Sequence, residues 1–226
     1  MTGIELVTVA LDESEGALPN TAGREDQGVA ASGHALFATV MGVCGLAWCG
    51  PAIVAAQLPE PAVAGGPGAT ARRMLHGVRI RRPRAAAIQV VHVGQLPGHA
   101  ASAMLGIAGL LAGRVEVQPG LDALVLDWAG VGDFQKRVYE LTRAIAPGQT
   151  RSYGELARAL GAIHWARAVG RALGTNPFAP IIPCHRVLAA NGGSGGFSGA
   201  SGVVSKLRML QLEGVCFGGT KPLFEY

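Results

Sequence analysis

The chemistry-bearing residues of this 226-residue chain crowd into one string, Ile181-Ile182-Pro183-Cys184-His185-Arg186-Val187. A cysteine reacts as its thiolate, and neighbouring His and Arg side chains favour that form. Pro183 restricts the backbone just before the sulfur. Apolar Ile181, Ile182, Val187 and Leu188 shield the segment from water. Side chains adjacent in sequence need not meet in space, however, and taken alone the string reads better as a structural cysteine. A second anomaly lies further on. Glu213 stands in the last turn of a helix spanning about Val203 to Glu213 and stopped by Gly214. An acid there opposes the helix dipole, where Lys or Arg would be favoured. A local rule broken without visible gain marks a functional residue or an indifferent exposed end.

The elements that must position these groups are best signposted in the second half. Phe134, Val138, Leu141 and Ile145 recur at one-face helical spacing, and Pro147-Gly148 ends that helix. Ser152 and Glu155 form an S-x-x-E capping box for a short helix that buries Tyr153, Leu156, Ala157 and Leu160 and closes at Gly161. The next helix runs from about His164 to Leu173. Its apolar side carries Trp165, Ala166, Val169, Ala172 and Leu173, and its outer side His164, Arg167 and Arg171, with Gly174 as the C-terminal cap. A short helix, a tight turn and a helix with a basic outer face make a helix-turn-helix; an ordinary basic surface helix is the plainer reading. On the last helix Val203, Leu207 and Leu210 are expected to face inward, and Lys206 and Arg208 to face water.

The first half is less explicit. Residues around His34 to Leu58 read as strands with a turn at Gly50-Pro51, and Leu124 to Trp128 as a further strand leading to a boundary near Gly130-Asp133. Leu36 to Ala56 lacks charge and raises the question of a membrane helix, but Gly42, Gly45, Gly50 and Pro51 break it. Helices are expected over Ala69–Leu75 and Ala100–Ala112, and an extended piece over Val115–Val117. Arg79, Arg81, Arg82 and Arg84 read as a solvated basic face or loop. Asp12 to Gln27 is polar and acidic, which argues for disorder.

Charge and cysteine usage narrow the class. From Asp133 onward lie eleven of the 19 Lys/Arg but only five of the 15 Asp/Glu. That surplus suggests a polyanionic partner for the second half. Cys44, Cys49, Cys184 and Cys216 form no C-x-x-C pair. This fits a reducing, cytoplasmic compartment rather than a disulfide framework. Cys44, Cys49, His92 and His99 are the nearest thing to a zinc set, but their spacing matches no ligand pattern. The first residues show no secretory signal.

The string IPCHRV resembles the active-site signature of the O6-alkylguanine-DNA alkyltransferases. Arg151-Ser152-Tyr153-Gly154, Ala166-Arg167-Ala168-Val169-Gly170, Asn176-Pro177, Gly196-Phe197-Ser198-Gly199 and Leu210-Gln211-Leu212-Glu213-Gly214 fall in that family's order. The resemblance is strong over Phe134–Val215, looser over His34–Trp128, and absent from Met1–Gly33 and after Val215. It implies an α+β fold: a small antiparallel-sheet, ribonuclease-H-like domain over residues 34–130, then a mostly helical, winged-helix-like DNA-binding domain over 133–215. Residues 1–33 would be a disordered extension and 216–226 a tail.

By the same resemblance Cys184 accepts an alkyl group from O6-alkylguanine, and from O4-alkylthymine, in a single turnover. His185 takes the thiol proton through a water, Glu213 orients His185, and Tyr153 donates a proton towards the guanine. Arg167 enters the base stack, with Ser152, Ala166 and Arg171 as further DNA contacts. Asn176, Pro183, Val187, Ser198 and Gly199 line the pocket; Asn176 holds the turn before the cysteine loop, and the carbonyls of Cys184 and Val187 accept from the exocyclic amine. No cofactor and no metal are implied, and the partner is double-stranded DNA met by a monomer, with no membrane. His164-Trp165 is bulkier than the small residues usual at the start of that helix, and the glycine-rich loop Asn191–Gly199 is expected to admit larger alkyl groups. Three rivals remain: a lesion-binding protein without chemistry, which would lack Cys184; a DNA-binding regulator, which would not need the Pro183–Arg186 segment; and a cysteine hydrolase, which would not need a basic recognition helix.

Overall fold

The computed structural model describes residues 5–7, 32–83, 89–90, 96–190, 192–193 and 202–215. Its first half is built on a sheet. Strands β2 (Gly33–Thr39), β3 (Gly42–Cys49) and β4 (Ala52–Gln57) form an antiparallel meander. The outer edge of β2 is shared by β1 (Leu6–Val7), antiparallel, and β5 (Gln89–Val90), parallel. The long uncharged run therefore folds as three strands and two turns, not as a membrane span, and no helix among the described residues is long and apolar enough to cross one. Its apolar residues are nearly continuous because both faces are covered. Helix α1 (Gly66–Arg81) packs Met74 and Val78 on one face, against Ala47, Val54 and Ala55. Helix α2 (Gly98–Leu111) buries Ala103, Met104 and Ile107 with Phe37, Leu46 and Trp48 of the other. The approach of α1 is close: a Cβ on Gly45 would lie 2.9 Å from the Met74 sulfur.

Several local expectations are revised. Helix α1 is twice the expected length, because Ala71, Met74 and Val78 make a buried stripe that carries the backbone past Gly77 as far as Arg82-Pro83. Within the basic cluster, Arg81 donates to the Val54 carbonyl and lies 5.4 Å over the Phe178 ring, while Arg82 pairs with Asp127 at 2.8 Å. Those two are struts to the rest of the molecule. Val115–Val117 is a 3-10 turn leading into the short helix α3 (Gln118–Asp122), where Pro119 in the first turn favours helical backbone over extension. Among the described residues Leu124–Trp128 makes only one bridge, Leu126 to Ile53. Leu6–Val7 joins the sheet, so part of the leading segment is ordered; Asp12–Gln27 lies outside the described residues.

The second half is helical: α4 (Asp133–Arg143), α5 (Tyr153–Ala159), α6 (Ala166–Gly174) and α7 (Gly202–Leu212). A small parallel pair, β6 (Arg151–Ser152) with β7 (Val187–Leu188), ties the start of α5 to the cysteine loop. Together these halves give the α+β architecture expected from the sequence, sheet first and helices after. One continuous core runs from Trp48 and Met104 to Val138, Phe178, Ile182 and Met209. Arg143 adds a polar clamp. Its guanidinium donates to the carbonyls of Leu121, Asp122 and Leu124 at 2.8–2.9 Å.

Candidate functional site

Cys184 opens a single 3-10 turn, Cys184–Arg186, between Pro183 and β7. Asn176 holds the chain for it. Its amide nitrogen donates to the Ile182 carbonyl at 2.9 Å, and its oxygen accepts from the Phe178 N–H at 3.0 Å. The sulfur is almost wholly buried yet lines a cavity of about 450 Å³ together with Tyr153, Gly170, Thr175 and Asn176. Burial pushes the thiol pKa up, against the opposing pull of the Asn176 side chain and the positive charge of Lys206. The resting cysteine is therefore a thiol, and the cation acting on it is Lys206. Arg186, its neighbour but one in sequence, points elsewhere.

Arg186 is fully buried and spends its donors on a fixed set of acceptors. Nε donates to both Glu213 oxygens at 3.2 and 2.9 Å, and Nη2 to Glu213 Oε1 and to the Gln118 side chain, both at 2.8 Å. Nη1 donates to the Ile145 carbonyl at 2.5 Å. Burial alone would raise the Glu213 pKa, but the hydrogen bonds from His185 and Arg186, with the positive charge of Arg186, hold it at about 2. Glu213 is thus a carboxylate and can only accept. The 2.9 Å contact with His185 must then run from Nε2–H to Oε1. Burial lowers the His185 pKa, so the ring is neutral and its Nδ1 carries a lone pair. That buried Nδ1 has no hydrogen-bond partner among the described residues. The result is a base oriented by a carboxylate that a buried guanidinium keeps ionised. Gly148 lets the chain pass over this group: its φ is +74°, and a Cβ would sit 3.0 Å from the Glu213 carbonyl.

Lys206 is the functional residue missed in the sequence. Expected to face water, it is fully buried. Its Nζ donates to the Val187 carbonyl at 2.5 Å and stands 5.7 Å over the Tyr153 ring. Burial lowers its pKa to about 8. The signal was present: Lys206, Met209, Leu210 and Glu213 lie at i, i+3, i+4 and i+7, one face of α7 and the turn that continues it. Once Glu213 is turned inward, Lys206 must follow, and Val203 instead lies 37% exposed. Gln118 is the other missed partner, and nothing in its local sequence announces it.

Tyr153 is the first residue of α5, set by the Ser152 cap. The Ser152 hydroxyl accepts from the Glu155 N–H at 3.1 Å, and the Ser152 N–H donates to Glu155 at 2.6 Å. Burial, then the charge of an ionised Cys184, raises the tyrosine pKa. On α6, Arg167 and Arg171 are exposed on the outer face, Ala166 is half-buried at its start, and Val169, Ala172 and Leu173 are buried. Two details differ from expectation. Trp165 is 53% exposed, because a 3-10 turn over Ile163–Trp165 precedes α6 and rotates the ring out of the helical stripe. Gly174 is the last helical residue, and Thr175 provides the cap. Pro183 and Val187 cap the two ends of the Cys184–Arg186 turn and are buried, and neither is among the described residues that line the cavity. Ser198 and Gly199 lie outside the described residues, as does His92. Among the described residues no group of three or more His, Cys, Asp and Glu side chains gathers to hold a metal ion. Cys44 is a buried thiol, its pKa pushed up by burial to about 12.

Residues 133–215 match the sequence model of the 6-O-methylguanine DNA methyltransferase DNA binding domain. The fold extends that likeness over most of the chain. The crystal structure of Mycobacterium tuberculosis OGT in complex with DNA superimposes with a TM-score of 0.57 and 30% identity, covering 79% of this chain and 90% of that one. This chain belongs to the 6-O-methylguanine DNA methyltransferase family. The family's enzyme from the archaeon Pyrococcus kodakaraensis superimposes with a TM-score of 0.59 at 25% identity, over 81% of this chain and 99% of that one. In sequence, the methylated-DNA–protein-cysteine methyltransferase of M. tuberculosis is 50% identical over 88 residues, 39% of this chain and 52% of that relative. The aligned part thus spans about half the length of the curated relatives it matches.

Proposed function

We propose that this protein repairs alkylated DNA by moving the alkyl group from O6 of guanine to its own Cys184. One observation carries the reading: a buried thiol on the wall of a cavity, with a carboxylate-oriented histidine beside it in the chain and a basic recognition helix above it. The thiol is protonated at rest, so it needs a base. His185 Nδ1 is the free lone pair, and the thiol proton passes to it, through a water where the two do not touch. The sulfur then attacks the alkyl carbon. The S–C bond forms as the C–O6 bond breaks, and guanine leaves with its negative charge. Tyr153 supplies a proton to that leaving group. Asn176, Pro183 and Val187 shape the pocket, and the carbonyls of Cys184 and Val187 take the exocyclic amine. Ser198 and Gly199 complete the cover in this reading.

The alkyl carbon of a stacked guanine is out of reach, so the nucleotide must be turned out of the duplex, at a cost of roughly a few kcal/mol. Arg167, on the open face of α6, fills the gap; Ser152, Ala166 and Arg171 contact the DNA around it. The product is a thioether that no neighbouring group can cleave, so each molecule acts once. We assign DNA binding and chemistry to residues 133–215 and a supporting role to 34–130 with the strand Leu6–Val7 that joins its sheet, and no part in either to 216–226. O4-alkylthymine is the second substrate, the protein works as a monomer in the cytoplasm, and neither cofactor nor metal takes part.

The test uses duplex DNA with a labelled O6-methyl group. Label should move to protein one-to-one, and Cys184→Ala should abolish transfer while sparing DNA affinity. Repeated turnover, or label on another residue, overturns the assignment.

A further inference from the structure

Trp165 has no part in the reaction just described. It is the N-cap residue of α6, with φ −98° and ψ 18°, two residues ahead of Arg167. Its ring meets Phe134 edge to face at 5.4 Å. That contact steadies the indole but leaves 53% of the residue open, and Ile163 on the same 3-10 turn is 66% exposed. Beside the ring lies a cleft of about 310 Å³, walled by Phe134, Arg137, Leu160, Gly161, Ala162 and Trp165. An indole with an open surface and a guanidinium thus face one small depression, at the end of the recognition helix that approaches nucleic acid most closely in helix-turn-helix proteins.

We propose that Trp165 and Arg137 grip the sugar–phosphate backbone of the duplex beside the lesion, the indole packing on a deoxyribose and Arg137 pairing with the adjoining phosphate. The chemistry fits both partners. A deoxyribose offers an apolar face that an amphipathic aromatic can cover, and a guanidinium matches phosphate with paired donors. The cleft adjoins the exposed face that carries His164, Arg167 and Arg171, so the added contact is continuous with the DNA-binding surface proposed above. It would hold the backbone while Arg167 occupies the stack. The inference rests on the reading of the protein as a DNA repair enzyme.

The experiment uses the full chain and duplex DNA containing O6-methylguanine. Trp48 is fully buried and Trp128 half-buried, so the emission most open to acrylamide comes from Trp165; a Trp165→Phe variant identifies that component by its loss. Saturating duplex should protect it from the quencher. Trp165→Ala should weaken duplex binding about tenfold without changing the slope of log affinity against log salt. Arg137→Gln should lower that slope by about one. Trp165→Phe should recover most of the affinity, and urea midpoints of all three confirm folding. If Trp165 stays quenchable in saturating DNA, or Trp165→Ala binds as tightly as the parent, the proposal is wrong. Concentration-dependent protection without DNA would assign the cleft to a second copy and also overturn it. If the unmodified protein neither binds duplex nor accepts label, the repair reading itself fails, a result distinct from either.

Discussion

Replacing Glu213 by Gln tests the electrostatic centre of the site. Gln keeps the volume and one acceptor oxygen, so the change is mainly one of charge. In the folded protein the carboxylate titrates at about 2 instead of its ordinary 4.5. Each unit is worth about 1.4 kcal/mol, so the ionised form contributes roughly 3 kcal/mol at neutral pH. The same figure follows from the other side, since stranding the buried Arg186 charge costs roughly 3–5 kcal/mol. A domain stable by about 5–15 kcal/mol survives this but shows it plainly. Urea unfolding followed by far-UV circular dichroism should place the Glu213→Gln midpoint about 1.5 M lower at pH 7, for a slope of about 2 kcal/mol/M. The sign with pH is fixed. A carboxylate with a depressed folded pKa stabilises fully above its unfolded value and loses that contribution as pH falls. The gap between parent and variant should therefore hold down to about pH 4.5 and close between there and pH 2. A gap that persists unchanged at pH 3 would show that packing, not charge, is responsible, and no gap at pH 7 would refute the argument outright.

Lys206→Met should slow alkyl transfer at neutral pH by about tenfold and shift its pH profile upward, because the thiol loses the cation that favours its ionised form; single-turnover rates from pH 6 to 10 decide this. The same lysine titrates at about 8 in the folded state, below its ordinary 10.5, so the folded parent binds fewer protons than the unfolded one in that window. Its stability should rise relative to Lys206→Met between pH 8 and 10.5, and a parent that loses ground there contradicts the buried placement. Ser152→Ala removes the cap that sets Tyr153 and should cost about 1 kcal/mol in urea unfolding, together with a measurable loss of transfer rate. Arg167→Ala should slow transfer from duplex by about tenfold or more but from single strands far less, since only the duplex leaves a gap in a stack to fill; equal losses on both substrates would remove Arg167 from that role.

Patterns that depend on near neighbours were legible in the sequence. The Ser152–Glu155 box, the outer face of α6 and the strand–turn–strand run before Leu58 are set by side chains within one or two turns of each other, and each is found in the structure. What the sequence hid was set by distant groups. Arg186 looks like a neighbour able to ionise Cys184, yet its donors are taken by Glu213, Gln118 and Ile145, partners 27 to 68 residues away. Lys206 looks like a surface lysine until the helix is turned to bury Glu213. Trp165 reads as a core aromatic because a 3-10 turn shifts the register by a fraction of a turn, which helical periodicity cannot anticipate. Leu124–Trp128 has strand composition but, among the described residues, pairs at Leu126 alone.

The clamp at Arg143 bears on how such a protein can diverge. Its guanidinium is met by three main-chain oxygens of the first half, at Leu121, Asp122 and Leu124. A peptide carbonyl is the same whatever residue bears it. Substitutions can therefore accumulate along that stretch without disturbing the joint, provided the backbone path is kept. This is the behaviour expected of a chain whose sequence kinship concentrates in residues 133–215 while its shape is shared over four-fifths of its length.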